Sequence, residues 1–236
     1  MGHFNTELSW KQWSTRLRQA TAWHRGQSLV FVFAHFFLFW GGLRLLHDVV
    51  THVETRKGVV LFDPVLAELP VHSVDTPLFV LLYGGMLLCW GSLLRSPLLF
   101  LRALSAYGIL AFFRSGAMLL LPLEPPSGMI TLIDPVVQAA RVGGNALTKD
   151  LFFSGHTSGL ALFFFCAQSR WLKGLLLIGL CGVGVGVLLQ RVHYTIDVYC
   201  APFFAYCAFQ VSGVVQETLM RFLGQTQIST VTSAND

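Results

Sequence analysis

Apolar and polar positions along the chain fall into long blocks, not into the strict alternation of half-buried strands. Apolar stretches run over about 27–46, 77–94, 98–121, 156–171, 173–190 and 195–215. Each is at or near the ~20 residues a helix needs to cross the hydrocarbon of a bilayer. The pattern predicts an all-α fold, a polytopic membrane helical bundle with six transmembrane helices. Segments 47–76 and 122–155 are its long loops, and the other connections are short. An even number of spans places both ends of the chain on one side.

The stretch before the first span is polar, but Trp10, Trp13, Leu17 and Ala20 recur at helical spacing with Lys11, Arg16 and Arg18 between them. That arrangement predicts a short amino-terminal interfacial helix, with tryptophans among the headgroups and cations facing anionic lipid. No apolar core follows a basic start closely enough for a cleavable signal, so the first span is expected to direct insertion. The expected organisation is a cytoplasmic amphipathic segment at 1–26, a six-span membrane domain at 27–215 and a cytoplasmic tail at 216–236. The tail is polar and expected to be irregular from Gly224 onward.

Composition agrees with lipid as the solvent: 54% of the 236 residues are hydrophobic and 12% charged, where a soluble domain carries about a quarter charged. A net charge of +4 without a basic block excludes nucleic acid as a partner. Cys89, Cys166, Cys181, Cys200 and Cys207 all lie in apolar stretches without metal-ligand spacing, and read as small packing residues. With the amino terminus inside, Lys11, Arg16, Arg18, Arg25, Arg95, Arg102, Arg170, Lys173 and Arg221 are all cytoplasmic, nine of the sixteen Lys and Arg. The protein is thus expected to be integral to a membrane, with its long loops on the outer, periplasmic or luminal side. The compact length points to a bacterial inner membrane.

Two elements carry chemistry. Ser154, Gly155, His156 and Thr157 stand where the second long loop meets the fourth span. A helix start offers free N–H groups to an anion, and a histidine there exchanges protons with it; an N-cap followed by a buried histidine reads alike. Between the fifth and sixth spans, His193 and Asp197 are four residues apart. On a helix they share a face, so the carboxylate holds one imidazole nitrogen and frees the other as nucleophile or base. The fourth and fifth spans form a hairpin with both histidines at its outer end. Such a set suits phosphoryl transfer through a phosphohistidine, one histidine attacking phosphorus while the other protonates the departing oxygen. Acyl transfer fits less well, because no serine sits in a GxSxG elbow. Arg114, in the outer half of the third span, is the leading cation for the phosphate, though it could instead snorkel outward. Lys149, Arg141 and Arg191 are further candidates. Ser154, Gly155 and Tyr194 complete the expected phosphate-binding set. His47, Asp48, His52 and Glu54 resemble a metal cluster on paper, but a solvated loop or helix extension explains them better. Gly182, Gly184 and Gly186 lie inside a span and suit close helix packing, not nucleotide binding.

Asp150, Phe153, Ser154, Gly155, His156 and Thr157, followed by His193, Tyr194, Thr195, Ile196, Asp197 and Val198, resemble the paired motifs of the sphingomyelin synthases, a branch of the type 2 phosphatidic acid phosphatase superfamily. The resemblance extends to the six-span layout and to the loop Leu121–Pro126, and covers about residues 30–215. It implies that His193 is the nucleophile, Asp197 its partner and His156 the acid and base. It also implies action on the exoplasmic or luminal face without metal or other cofactor. The phosphatase branch usually carries arginine six residues before the nucleophile, where this chain has Val187, and its first basic motif is not evident. Those departures favour a phosphotransferase that moves a phospho-headgroup from a phospholipid to ceramide or diacylglycerol. The alternative is a phosphatase acting on phosphatidic acid or a polyprenyl diphosphate. A non-catalytic lipid-binding or transport protein would be expected to show a decayed set, and here the set is intact. The expected partners are phospholipid and lipid-alcohol substrates and membrane lipids, with self-association left open.

Overall fold

The computed structural model describes residues 10–21, 25–132, 134 and 148–232; Arg141 lies outside them. In chain order the helices are α1 (Trp10–Thr21), α2 (Arg25–Glu54), α3 (Pro64–Glu68), α4 (Asp75–Leu93), α5 (Pro97–Leu120), α6 (Gly155–Cys166), α7 (Arg170–Leu189) and α8 (Thr195–Thr232). Among the described residues the sole extended pairing is an isolated bridge between Val59 and Leu123. The fold is an all-α membrane bundle.

Five helices, α2, α4, α5, α7 and α8, are long and apolar enough to cross a membrane, and the protein is integral to one. The fourth expected span is the exception. Helix α6 has 12 residues, about 18 Å at 1.5 Å per residue, well short of the ~30 Å hydrocarbon. The reason lies in the sequence Ala167-Gln-Ser169. Ala167 leaves the helical conformation, and Ser169 opens α7 by accepting the Leu172 N–H. Helix α6 also has little need to match the bilayer, because its neighbours wrap it. Leu160, Leu162 and Phe163 are fully buried, and α4, α5, α7 and α8 all pack on it.

Close packing relies on small residues. Gly42 of α2 and Gly108 of α5 bring the two backbones into contact: a Cβ on Gly42 would strike the main chain of Gly108, and one on Gly108 the main chain of Leu38 and Phe39. In α7, Gly182 and Gly186 receive the side chains of Leu81 and Leu78 from α4, while Gly184 receives Val198 of α8. Of the five free cysteines only Cys89 and Cys166 are buried; Cys181 is exposed, so core packing accounts for only part of that set.

At one end of the bundle, α1 turns Leu17 inward against Phe31, Leu101 and Leu223, and Arg16 donates to the Arg95 carbonyl at 3.0 Å. Part of its apolar face therefore meets protein. Helix α8 runs on past Gly224 to Thr232, where the sequence predicted an irregular tail. Extending an existing helix avoids the nucleation cost that a separate segment would face.

At the opposite end the two long loops interlock. Val59 N–H donates to the Pro122 carbonyl at 2.8 Å and Glu124 N–H returns to Val59 at 3.0 Å. The Glu54 carboxylate closes α2 onto the second loop by accepting from the Thr148 and Lys149 N–H groups. Asp48 pairs with Arg44. The stretch from His47 to Glu54 is thus the end of α2, the helix extension foreseen as one of two outcomes.

Candidate active site

The site is assembled at the interlocked end, where α6 and α8 begin and α7 finishes. Ser154 caps α6, its Oγ accepting from the Thr157 N–H at 3.3 Å and from the Thr157 hydroxyl at 3.0 Å. Its own N–H donates to the Asp197 carbonyl at 3.2 Å, tying the start of α6 to the first turn of α8. The Ser154 hydroxyl therefore serves the helix, while His156 is carried in the first turn, where unpaired N–H groups and the helix dipole favour an anion.

His193 is not on a regular helix with Asp197, as the spacing had predicted. It lies in the turn before α8, and Asp197 sits in that helix's first turn. The contact forms because the carboxylate reaches back as an acidic residue does in a capping box. Asp197 Oδ2 accepts from the Tyr194 N–H at 3.0 Å and lies 3.3 Å from His193 Nδ1. His193 is 2% exposed and Asp197 fully buried. Nδ1 is thus the nitrogen that faces the carboxylate, and Nε2 is the one left for chemistry. Asp197 Oδ1 makes no hydrogen bond among the described residues.

Helix α7 has 20 residues against 12 in α6, so in a straight hairpin the outer ends of the two helices would be offset by about 12 Å along its axis. The turn after α7 folds back to remove that offset, with the Arg191 N–H bonded to Leu188 and the Val192 N–H to Val187. The rings of His156 and His193 end with centroids 6.5 Å apart. That gap suits a phosphorus centre held between a nucleophile and a proton donor.

A further carboxylate joins the pair. Asp134 Oδ2 lies 3.3 Å from His156 Nε2, and Asp134 Oδ1 accepts the Tyr83 hydroxyl at 2.5 Å. Each histidine therefore has a carboxylate of its own. Sequence reasoning missed Asp134 because it stands alone in a loop, without helical spacing to either motif. Arg114 is 8% exposed. Its Nη2 meets Asp150 Oδ1 at 2.5 Å and its Nε donates to the Phe153 carbonyl at 3.2 Å. Its guanidinium lies against Gly155, where a Cβ would collide with it. Arg114, the start of α6 and His156 therefore border one space.

That space is a cavity of about 500 Å³. Arg114, Asp134, Asp150, Gly155 and His156 border its polar end, and Phe39, Leu43, Leu82, Met86, Trp90 and Leu110 belong to its apolar walls. His193 does not line it; the cavity reaches the pair from the His156 side.

Lys149, Arg191 and Tyr194 hold loops. Lys149 Nζ donates to Glu124 at 2.8 Å and to the Arg56 carbonyl at 2.6 Å. Arg191, at φ 55°, donates to the carbonyls of Ser127 and Leu66. The Tyr194 hydroxyl donates to the Glu124 carbonyl at 2.9 Å and accepts the Leu61 N–H at 3.1 Å. Glu124 sits below the usual carboxylate range because Lys149 and the Gly58 N–H bond to its charged form. Asp63, also missed from sequence, caps two helices at once. It accepts from the Val65 and Leu66 N–H groups of α3 and from the N–H and hydroxyl of Thr195 at the start of α8. Burial opposes its ionisation, but those bonds outweigh it and hold its carboxyl below the ordinary range.

Residues 149–213 match the family model described as PAP2 superfamily C-terminal. The match covers roughly a quarter of the chain and includes His156, His193 and Asp197. No curated protein and no solved structure matches the chain. The match supports the type 2 phosphatidic acid phosphatase superfamily and, with it, phosphatase or phosphotransferase activity on lipids. The sphingomyelin synthase branch is a finer assignment than this match supports.

Proposed function

We propose that this protein moves a phospho-headgroup from a phospholipid to a lipid alcohol, ceramide or diacylglycerol, through a phosphohistidine on His193. The observation that carries the reading is the side from which the apolar cavity reaches the histidine pair. It borders His156, the proposed proton donor, and leaves His193 on the far side of the gap. In an in-line displacement the leaving oxygen departs opposite the nucleophile. The group attached to that oxygen then occupies the His156 side, where an apolar cavity fits a lipid body and fits a small polar head poorly.

The steps follow from that placement. The His193 Nε2 lone pair forms an N–P bond while the P–O bond to the glyceride breaks, and protonated His156 gives its proton to the departing oxygen. Diacylglycerol leaves through the cavity, which a lipid alcohol then enters. Neutral His156 takes the proton from its hydroxyl as the O–P bond forms and the N–P bond breaks. Asp197 steadies the charge that His193 acquires, and Asp134 does the same for His156. Arg114 and the N–H groups at the start of α6 offset charge on the phosphate oxygens. The cavity's apolar walls keep water sparse at the intermediate, which favours a lipid alcohol over hydrolysis. The long loops and the site face the outer side of the membrane, the arrangement that the distribution of Lys and Arg favours, in a bacterial inner membrane.

The test incubates purified protein with headgroup-labelled phosphatidylcholine or phosphatidylethanolamine, with and without ceramide or diacylglycerol. Appearance of label on the added lipid alcohol is the expected result. Release of labelled headgroup or free phosphate, with no labelled lipid product, would overturn transfer in favour of hydrolysis.

A further inference from the structure

The cavity wall carries a hydroxyl that the mechanism above does not use. Tyr107 of α5 lines the cavity, its ring lying between Phe39 of α2 and Phe163 of α6 with each centroid 6.1 Å away. Tyr83, Ser158 and Arg114 share the lining but are committed, to Asp134, the Gly155 carbonyl and Asp150 respectively. The Tyr107 hydroxyl makes no hydrogen bond among the described residues, and protein atoms do not seal it in. The cavity is therefore its open side. A phenol in an apolar wall is costly to leave unpaired, and a few placed polar groups in such a wall fix the orientation of what binds there.

Two glycines of α6 give the depth of the ring. Gly155 abuts the Arg114 guanidinium, and a Cβ on Gly159 would lie 4.0 Å from Tyr107 Cε2. Four residues of helix separate these glycines, about 6 Å along α6. The ring thus stands about one turn below the polar end of the cavity, within electrostatic reach of both Arg114 and Asp134. A lipid whose phosphate rests at Arg114 and His156 carries its backbone over that distance. In a diacylglyceride and in a ceramide alike, an acyl carbonyl lies the same number of bonds from the oxygen that bears or receives phosphorus. It is an ester carbonyl in one and an amide carbonyl in the other. An ether-linked lipid offers no carbonyl there.

We infer that the Tyr107 hydroxyl donates a hydrogen bond to this acyl carbonyl and so selects acyl over ether-linked lipids. One group meets both the ester of a donor and the amide or ester of an acceptor, which sets the two lipids in the same register in turn. The inference deepens the reading of the cavity as the place of the lipid body and rests on it. The preference itself is a binding property, measurable without turnover.

The test titrates the full chain carrying His193→Ala, a position outside the cavity lining, in maltoside micelles. The probe is phosphatidylcholine with a diazirine near the end of one chain, in diacyl and dialkyl forms. Saturable crosslinking is counted in the α4 peptide that carries Leu82 and Met86 of the cavity wall. The diacyl lipid should reach half-saturation at a mole fraction at least about threefold lower, the size of effect one neutral hydrogen bond supports. In Tyr107→Phe the two forms should coincide at the dialkyl value of the parent protein, which is also the control for an intact cavity. Coincidence in the parent protein, a preference that survives Tyr107→Phe, or no saturable capture of either lipid overturns the proposal. The parent comparison needs no change at Tyr107, so it decides even if that variant fails to fold. Failure of headgroup transfer by the wild-type chain alongside an intact acyl preference would sink the transfer reading and leave the Tyr107 contact standing. Transfer without the preference would sink the contact alone.

Discussion

Replacing Gly155 by alanine separates the stability of α6 from its chemistry. Gly155 is the first residue of α6, and alanine in a helix is favoured over glycine by up to ~1 kcal/mol. Judged by propensity alone, the substitution should be harmless. A Cβ there, however, falls on the Arg114 guanidinium, which is held by Asp150 and the Phe153 carbonyl and has little room to move. Displacing it loosens at least one hydrogen bond to a charged group, ~1.5–3 kcal/mol. Set against the helix gain, the net destabilisation is within about 2 kcal/mol, a shift of a few degrees in melting temperature for a chain of this size. Turnover should suffer far more if Arg114 holds the substrate phosphate as proposed, because moving such a cation by about 1 Å costs on the order of 10²-fold. The assay pairs initial rates of labelled lipid transfer with thermal melts of the same detergent-solubilised samples. Wild-type turnover at an unchanged or raised melting temperature would refute the role given to Arg114 over the start of α6.

Asp197→Asn retains an acceptor for the Tyr194 N–H but removes the charge beside His193. It should slow turnover by at least about tenfold, the equivalent of ~1.4 kcal/mol, with the melting temperature held within a few degrees. Asp63→Ala uncaps α3 and α8 together and should cost ~1–2 kcal/mol at neutral pH in denaturant titrations. Because the folded carboxyl is the more acidic, that stabilisation is fully present above the unfolded value near ~3.9 and is lost as pH falls through the folded one. A wild-type advantage that stayed constant down to pH ~2 would contradict the capping role. Met86→Trp fills part of the apolar cavity and should reduce turnover of long-chain phospholipids while sparing dibutyroyl ones. Equal loss on both would place the lipid body elsewhere.

The sequence made the bundle legible because membrane burial imposes a coarse signal, ~20 apolar residues per crossing. The length of α6 escaped that signal. Leu160 to Cys166 are as apolar as any span, but Ser169 caps the next helix, and a hydropathy window averages across so short a turn. The Gly42–Gly108 crossing was equally hidden, since neither glycine has a small partner at four-residue spacing on its own helix; their pairing exists only between helices. The glycines of α7 do have such spacing, and their packing role was readable.

The site divides along the same line between local and non-local information. His193 and Asp197 meet through four residues of sequence, so the pair could be read directly, although the chain supplies the contact from a turn where a continuous helix was expected. His156 could be placed near them by the hairpin. Asp134 could not, because what gives it meaning is the fold of a long loop that returns it to His156 and Tyr83. Lys149 and Arg191 show the reverse difficulty. Proximity in sequence to the motifs made them candidate phosphate ligands, yet their cations hold Glu124 and loop carbonyls. A cation near a phosphate motif has two uses, and only its partners tell them apart. Arg114 is the cation that reaches both the start of α6 and the cavity shared with His156. If substrate phosphate is held where the mechanism requires, Arg114→Lys should fail to restore the activity that Arg114→Ala loses. The planar fork spans Asp150, Phe153 and the helix start together, whereas an ammonium meets them as a single point charge.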